Sequence, residues 1–553
     1  MKDMQLVVLM GGKATRLAPL SYSMPKGLLN VNQKPAIYNM IIDYVKQGLR
    51  DITFVVSPGN ESIVRSFLEK TFGNLNIKYV VQNNPEGPLH AFQLCKDLIT
   101  KPTLLLLGDT MCETNLDYSY DWLGYMTISD NSHSRWCLIK TDSNETVQDI
   151  IDKPDYTPET NKVLIGLYNF RNHELLKEAL GRKYEKLRGE LQLSSMISYY
   201  NQKQPMKGLK IESWCDTGTL YDYNLTLRNN ISGRSFNHFN LDDNGVLTKT
   251  SKYSKLKSEI SWFKKIQKSP LSFLIPNILE TKIKGDDVSY KFTYIDGTTL
   301  AEYFMYYDIS ESNWSYIIEK FIKTANLMWS KKAPRSAEDV TKLAKYMYID
   351  KTLERIVKWE RQDILNEDFI HVNGEKYLSF KKAYELLKPR FENLIKTSKK
   401  FYSIIHGDIC FSNVVYLPTI SNFKFLDPRG NFGIDTIYGD ARYDVAKIRH
   451  SYHGLYDYIT QGLYELTEIS PNCFEYKFLT NNIINPNIFD RIIEKYGFDI
   501  NDIELIEGLL FTSMIPLHDD DKNAQIMYYI MALKCFNNQL KENKWKFYYA
   551  LLQ

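Results

Sequence analysis

Two strings of residues carry side chains that could do phosphate chemistry. The first is Gly11-Gly-Lys-Ala-Thr-Arg-Leu17, followed by Pro25-Lys26, directly after the apolar run Leu6-Val-Val-Leu-Met10. Glycines at the end of a strand let backbone N–H groups close on phosphate oxygens, and Arg16 and Lys26 bring the positive charge that a triphosphate requires. A glycine pair by itself is an ordinary turn, so the weight lies on the whole string. The second is His406-Gly-Asp408-Ile-Cys-Phe-Ser-Asn413, with Asp427 fourteen residues after Asn413 at the end of an apolar segment. A carboxylate, an amide and a second carboxylate at this spacing suit transfer of a γ-phosphoryl group.

The elements that must hold these residues differ along the chain. Leu6-Met10, Ile52-Val56, Ile77-Val81 and Leu104-Leu107 read as buried strands, with helix-period segments Ala36-Leu49, Glu61-Phe72 and Leu89-Leu98 between them. Such alternation predicts an α/β domain with a mainly parallel, Rossmann-like sheet, whose ligands sit beyond the carboxyl ends of the strands. After Asn229-Asn-Ile-Ser-Gly233 the pattern changes to short strand-like pieces, Phe236-Asn240, Val246-Lys249 and Lys291-Tyr294, around one helical segment, Lys255-Ile266. From about Leu300 the chain reads as mostly helical. No low-complexity linker divides the parts, so the joint near Ile231-Arg234 is expected to be tight.

Composition narrows the classes. At 553 residues the chain is long enough for three or four compact units. Its 69 Lys and Arg against 66 Asp and Glu leave a formal charge of +3, which suggests no nucleic-acid partner. At 44% hydrophobic and 24% charged it has an ordinary globular composition. No apolar stretch approaches the ~20 residues of a membrane helix, and the apolar run near the start is too short for a secretory signal. Seven cysteines, scattered and never spaced C-x-x-C, argue against a disulfide framework or a zinc site and for a reducing cytoplasm.

The first string, in its order and spacing, resembles the signature loop of the sugar-1-phosphate nucleotidyltransferases, G-G-x-G-T-R-L followed by P-K. Further segments resemble the same family: Gln82-Asn-Asn-Pro-Glu-Gly87 its base-recognition loop, Leu104-Leu-Leu-Leu-Gly-Asp109 and Trp214-Cys-Asp216-Thr-Gly-Thr219 its two metal-aspartate segments, and Ile151-Asp-Lys153-Pro154 its lysine-proline turn. The resemblance implies that Asp109 and Asp216 hold Mg²⁺, Arg16 and Lys26 bind the nucleotide phosphates, and Lys153 binds the acceptor's phosphate. Gly11, Gly12, Thr15, Gln82 and Gly87 would complete the nucleotide site. One departure stands out: the family's third glycine is Ala14, and alanine resists positive φ.

The second string has the catalytic spacing of protein-kinase-like phosphotransferases. By that resemblance Asp408 stands by the acceptor hydroxyl, Asn413 binds one Mg²⁺, and Asp427 bridges metal and the β- and γ-phosphates. Val246-Leu-Thr-Lys249 resembles the strand lysine of that fold, Glu259 on the next helix its partner, and Tyr294-Ile-Asp-Gly297 its interlobe hinge. The departures point away from protein kinases: Gly233-Arg-Ser235-Phe-Asn237 replaces the glycine-rich loop, and Asp427-Pro-Arg-Gly430 stands where D-F-G is usual. The arrangement is similar to choline kinases and aminoglycoside phosphotransferases, and Gly439-Asp-Ala-Arg-Tyr-Asp444-Val-Ala446 resembles their post-catalytic segment. That implies a bilobal domain, with Ser235, Lys249 and Glu259 on the nucleotide and Arg429 and Asp444 shaping the acceptor pocket.

The expected organisation is therefore a nucleotidyltransferase domain at 1–232 and a kinase-like domain at 233–553, with a small β-rich lobe at about 233–297 and a large helical lobe at about 298–553. The expected function is bifunctional. ATP would phosphorylate a small alcohol, sugar or amino alcohol. A second nucleoside triphosphate (CTP, UTP or dTTP) would then condense with that phosphate, giving an activated precursor for surface polysaccharide or lipid decoration. Mg²⁺ is the expected cofactor, the cytoplasm the expected location, and self-association is compatible with the reading. The alternatives are a transferase with a kinase-like part that only binds a ligand, an aminoglycoside-type resistance kinase, and a nucleotide sensor without turnover.

Overall fold

The computed structural model describes residues 3–541 apart from 13, 19, 23, 32–33, 73–74, 129–132, 230–237, 243, 296, 307–308 and 479–484. Ser235, and with it the segment expected to replace the glycine-rich loop, lies outside the described residues, as does Asp296 of the expected hinge. The chain divides into two compact units, Met1–Asn230 and Ile231–Gln553. Among the described residues no helix is long and apolar enough to cross a membrane.

The first unit is built on a nine-stranded sheet. Thr103–Leu107, Gln5–Leu9, Asp51–Val56 and Asn76–Val81 run parallel side by side in that order. These are the expected strands, buried because each is a nearly continuous run of aliphatic residues. The rest of the sheet is not parallel. Lys162–Phe170 lies antiparallel to Thr103–Leu107, and Cys137–Thr141 and Val147–Asp152 extend it as antiparallel neighbours. The expected parallel order holds for those four strands, and beyond them the sheet is mixed: Cys137–Thr141 and Val147–Asp152 are antiparallel because the short turn that joins them must reverse the chain. The helix expected over Leu89-Leu98 is also shorter: an α-helix spans Pro88–Gln93 and a separate 3₁₀ turn Lys96–Leu98.

In the second unit His238–Leu241, Val246–Lys252, Asp287–Thr293 and Ile278–Lys284 form an antiparallel sheet, with the helix Tyr253–Gln267 following the second of these strands. What comes after is largely helical. The helices Ala441–Tyr452 and Ile500–Met514 pack together, and every residue of the former is buried. The helical region also contains a four-stranded sheet of Glu375–Leu378, Phe369–Val372, Cys473–Phe478 and Tyr464–Ser470, which the helical expectation missed. A tight hairpin, Val414–Leu417 with Asn422–Phe425, pairs Val414 with Phe425 and so holds Asn413 and Asp427 at one end of the same ribbon.

Candidate functional site

Parallel register brings the loops of the first unit to one edge. Leu9 pairs with both Val55 and Leu107, so the chain leaves the sheet at Met10, Ser57 and Gly108 side by side. Gly108 N–H donates to Leu9 O at 2.9 Å, and a Cβ on Gly108 would stand 2.6 Å from that oxygen, so no larger residue fits before Asp109. Asp216 arrives by a different route. The short strand Trp214–Asp216 pairs antiparallel with Thr110–Cys112, setting Asp216 opposite Thr110, next to Asp109. A Cβ on Gly218 would lie 2.9 Å from Asp216 Oδ1 and 3.1 Å from Asp109 Oδ2, so one small gap touches both carboxylates.

Two carboxylates in so small a space repel. Burial first, and the Asp109 charge second, push the Asp216 carboxyl up to about 6, against the pull of the Gly218 N–H and Arg16. Lys26 meets Asp109 at 3.2 Å and is mostly covered. Met10, Gly12, Ala14, Pro25, Lys26 and Val56 line a small cleft beside it. Thr15 and Arg16 are exposed in the 3₁₀ turn Thr15–Leu17. Ala14 stands just before that turn in the left-handed region, at φ 51° and ψ 32°, and its carbonyl accepts from Ser21 Oγ at 2.9 Å. The alanine thus holds a conformation that glycine adopts more readily.

Gln82 is 3% exposed and its Nε2 donates to Gly87 O at 3.3 Å. A Cβ on Gly11 would stand 2.4 Å from Gln82 Oε1, so the glycine loop packs directly against the second predicted loop. Gly87 has φ 114°, and a Cβ there would meet Leu191 O at 2.6 Å, which restricts this position to glycine. Lys153 follows the strand Val147–Asp152 at φ 45°, its N–H donating to Trp136 O at 2.8 Å and its carbonyl accepting from Arg188. Tyr168 feels the charges of both Asp152 and Asp109, which puts the Lys153 segment on the flank of the carboxylate pair.

In the second unit Lys249 is 1% exposed and bridges two carboxylates, Glu259 Oε1 at 2.8 Å and Asp427 Oδ1 at 2.9 Å. Burial disfavours the ammonium, but Asp427 and Glu259 more than restore it, and Lys249 is held charged. Tyr290, opposite Lys249 in the ladder, donates to Glu259. Asp427 keeps nearly half its side chain exposed and, like Ala14 and Lys153, is a non-glycine in the left-handed region, at φ 50°.

Asn413 Nδ2 donates to Asp408 O at 2.8 Å, and Leu426 N–H to Asn413 O at 2.9 Å, so Asp408, Asn413 and Asp427 belong to one hydrogen-bonded loop system. His406 is 0% exposed, and burial pushes it down to about 4, a neutral packing residue against Trp262.

The acceptor role expected for Asp444 is corrected. It is 0% exposed, and its two oxygens accept from His406 N–H at 2.8 Å, Gly407 N–H at 2.7 Å and Trp329 Nε1 at 3.1 Å. Those donors place it beneath the loop as a brace for Asp408 rather than facing a ligand. Arg429 is partly exposed, donates through its guanidinium to the Tyr443 hydroxyl, and its own N–H donates to His406 O at 3.0 Å.

Lys447, which the sequence reading passed over, meets Asp408 Oδ1 at 2.9 Å. Its signal was helical spacing: it lies three residues after Asp444 on the helix Ala441–Tyr452 and so shares that residue's face. Among the described residues no group of three or more His, Cys, Asp or Glu is arranged to hold a metal. The candidate centres are carboxylate pairs and carboxylate–amide pairs, which suit a hard cation that also takes oxygens from phosphates.

The first unit is thus an α/β domain whose glycine loop and two converging aspartates sit at the ends of its parallel strands. Residues 5–230 match the family model described as nucleotidyl transferase. A glucose-1-phosphate thymidylyltransferase of Xanthomonas campestris is 29% identical over 234 residues, 38% of this chain and 76% of that protein. A UTP–glucose-1-phosphate uridylyltransferase of Haloferax volcanii is 27% identical over 221 residues, 38% of this chain and 89% of that protein. A solved UDP-glucose pyrophosphorylase from Acinetobacter is 20% identical with a TM-score of 0.35, covering 40% of this chain and 92% of its own.

Proposed function

We propose that this chain is a bifunctional enzyme that first makes a phosphomonoester and then activates it with a nucleotide. One observation carries the reading: each unit gathers, from segments far apart in sequence, its own set of carboxylates and cations suited to phosphoryl chemistry. In the second unit the acceptor hydroxyl oxygen attacks the γ-phosphorus of ATP, the bond to the β–γ bridging oxygen breaks, ADP leaves, and Asp408 takes the hydroxyl proton. Lys249, fixed by Glu259, holds the α- and β-phosphates. In the first unit a phosphomonoester oxygen attacks the α-phosphorus of a second triphosphate, and pyrophosphate leaves.

Arg16, Lys26 and the N–H groups of Gly11 and Gly12 would take the triphosphate, Gln82 and Gly87 the base, and Lys153 the acceptor's phosphate. Asp109 with Asp216, and Asn413 with Asp427, would hold Mg²⁺, which when bound neutralises phosphate charge. The raised Asp216 carboxyl fits this assignment, because a like-charged pair is relieved by a divalent cation. The relatives named for glucose 1-phosphate favour a sugar phosphate as acceptor and UTP or dTTP, with CTP the third candidate, as donor. An activated sugar of this kind is a precursor for glycan assembly. The kinase-like part is read as catalytic because a module that only binds a ligand has no use for the Lys249–Glu259–Asp427 arrangement.

The test uses the full chain with ATP, each of CTP, UTP and dTTP, and a panel of sugars and amino alcohols, with products followed by mass spectrometry. With the alcohol as acceptor, Asp216→Ala should abolish pyrophosphate release and leave ADP release intact, whereas Asp408→Ala should abolish both. Pre-formed phosphomonoester should restore nucleotidyl transfer to Asp408→Ala. An Asp216→Ala variant that also lost ADP release would sink the idea of separate sites, and failed rescue of Asp408→Ala would sink the order.

A further inference from the structure

Cations crowd the acceptor side of Asp408. Lys447 touches Asp408 Oδ1 at 2.9 Å, and Lys351 and Arg429 lie close enough to feel the same carboxylate. Arg355 is four residues after Lys351 on the helix Lys351–Ile356, so both project from one face. That helix follows a π-helical turn, Tyr346–Asp350, which inserts an extra residue and rotates the face that follows it.

Three of these basic groups make no direct ion pair. Arg355 Nη1 donates to Ser513 O at 3.2 Å, Arg429 reaches the Tyr443 hydroxyl, and Lys351 Nζ has only the Met347 thioether at 3.9 Å. Among the described residues none of Lys351, Arg355 and Arg429 forms an ion pair. Burial pushes the Lys351 ammonium down to about 6, with Arg429, Arg355 and Lys447 acting in the same direction and Asp408 against it, so an arriving anion is what would favour its charged form at neutral pH. Asp408 and Asp444 offset part of this charge at Arg429, but the oxygens of Asp444 are taken up by three other donors and form no ion pair with it. Four basic side chains gathered around so few carboxylates cost stability unless something else offsets them.

We propose that the acceptor phosphorylated at Asp408 carries an anionic group, a carboxylate or a phosphate, which Lys351, Arg355 and Arg429 bind. This rests on the reading of the second unit as a kinase. The cluster is assigned to the acceptor rather than to ATP because Lys249 already supplies Asp427 with its cation, whereas Lys447, Lys351 and Arg429 lie by Asp408, the residue read as serving the acceptor hydroxyl, with Arg355 beside Lys351 and Arg429. Paired guanidinium and ammonium donors recognise carboxylate and phosphate oxygens alike. The same field repels amino alcohols and aminoglycosides, whose recognition would need an acidic or aromatic pocket.

The experiment measures ADP release by the full chain with MgATP on acceptors of matched shape and different charge. Glucuronate supplies the carboxylate arm, glucose 6-phosphate the phosphate arm, glucose the neutral one and glucosamine the cationic one. Glycerate, glycerol 3-phosphate, glycerol and ethanolamine repeat the series without a ring. The anionic members should exceed their neutral counterparts at least 100-fold in kcat/KM. Lys351→Met should raise KM for the preferred anion at least tenfold, and Lys351→Arg should restore it.

Equal or better use of a neutral or cationic member, lost in Asp408→Asn, would overturn the anionic acceptor and leave the kinase standing. Absence of MgATP binding by calorimetry would instead remove the kinase itself. If MgATP binds and no member is turned over, glucuronate and inorganic phosphate are titrated directly. Binding weakened by Lys351→Met supports the proposal, and no binding overturns it. Weakened MgATP binding in Lys351→Met, with acceptor KM untouched, would also overturn it, since the cations would then belong to the nucleotide.

Discussion

Asp109 and Asp216 confront each other with Lys26 as the contacting cation, whereas Asp408 stands among Lys447, Lys351 and Arg429. The first site is short of positive charge and the second has more than its carboxylate can use. Both arise from segments distant in sequence, and both present oxygens where phosphates would bind. The difference teaches what each is missing. The first is completed by a cation brought with the triphosphate, and the second by an anion brought with the acceptor.

The largest effect on this contrast is expected at Lys26. Replacing it with methionine removes the ammonium from Asp109 and deepens the deficit, so pyrophosphate release should fall roughly 10²–10³-fold. The concentration of Mg²⁺ giving half-maximal rate should fall as well, because an Asp109 oxygen is freed. A variant with unchanged turnover would break the description of the first site as cation-poor.

Asp444 sharpens the second side. Burial pushes this carboxyl from its ordinary 3.8 up to about 6 in the folded protein, although three donors favour its ionised form. The folded value lies above the unfolded one, so the contribution to stability is fully present below 3.8 and is lost as pH rises through about 6. Asp444→Asn removes that dependence. Between pH 4 and pH 7 the wild type should lose about 2 kcal/mol relative to the variant, read from denaturant unfolding of the second unit. Parallel pH profiles would show that the brace does not titrate. At any pH the variant should also turn over more slowly, since an amide places N–H against one of the two loop donors.

Glu259 gives a smaller change. With Glu259→Gln the charge that draws Lys249 from Asp427 is gone, and the ammonium shifts toward the carboxylate expected to serve the metal. ADP release should drop roughly tenfold, mainly as weaker use of MgATP. A wild-type rate would mean that Lys249 is placed by Tyr290 and the strand rather than by its partner on the helix.

The legible parts of both sites lay at strand ends and in fixed spacings. Asp109 could be read because an aliphatic run must end where the sheet ends, and Asn413 and Asp427 because a short hairpin keeps their separation constant. Lys447 was missed since a lysine on a wholly buried helix has no apolar period to mark it, and Lys351 because a π-helical turn breaks the period that would place it. Asp444 was visible as a motif residue but not in its orientation, which depends on His406, Gly407 and Trp329 arriving from elsewhere. The antiparallel half of the first sheet was lost for a similar reason. Cys137–Thr141 and Val147–Asp152 are short, and partner choice among short strands is made by tertiary contact.

The mildest test compares the strain each site carries. Ala14 and Asp427 each hold a left-handed backbone, at φ 51° and φ 50°. An aspartate tolerates that region better than alanine, whose Cβ meets the following carbonyl with no compensating hydrogen bond, at a cost of roughly 1–2 kcal/mol. Ala14→Gly relieves the clash but gives the unfolded chain more freedom, which offsets roughly 0.4–1 kcal/mol of the gain. The first unit should therefore be stabilised by only about 0.5–1 kcal/mol, visible as a small rise in its unfolding midpoint. Turnover should hold or rise, since the glycine keeps the same N–H directions toward the phosphates. Destabilisation by Ala14→Gly would mean that the loop at Ala14 is not left-handed in solution, and the phosphate cradle drawn from it would have to be rebuilt.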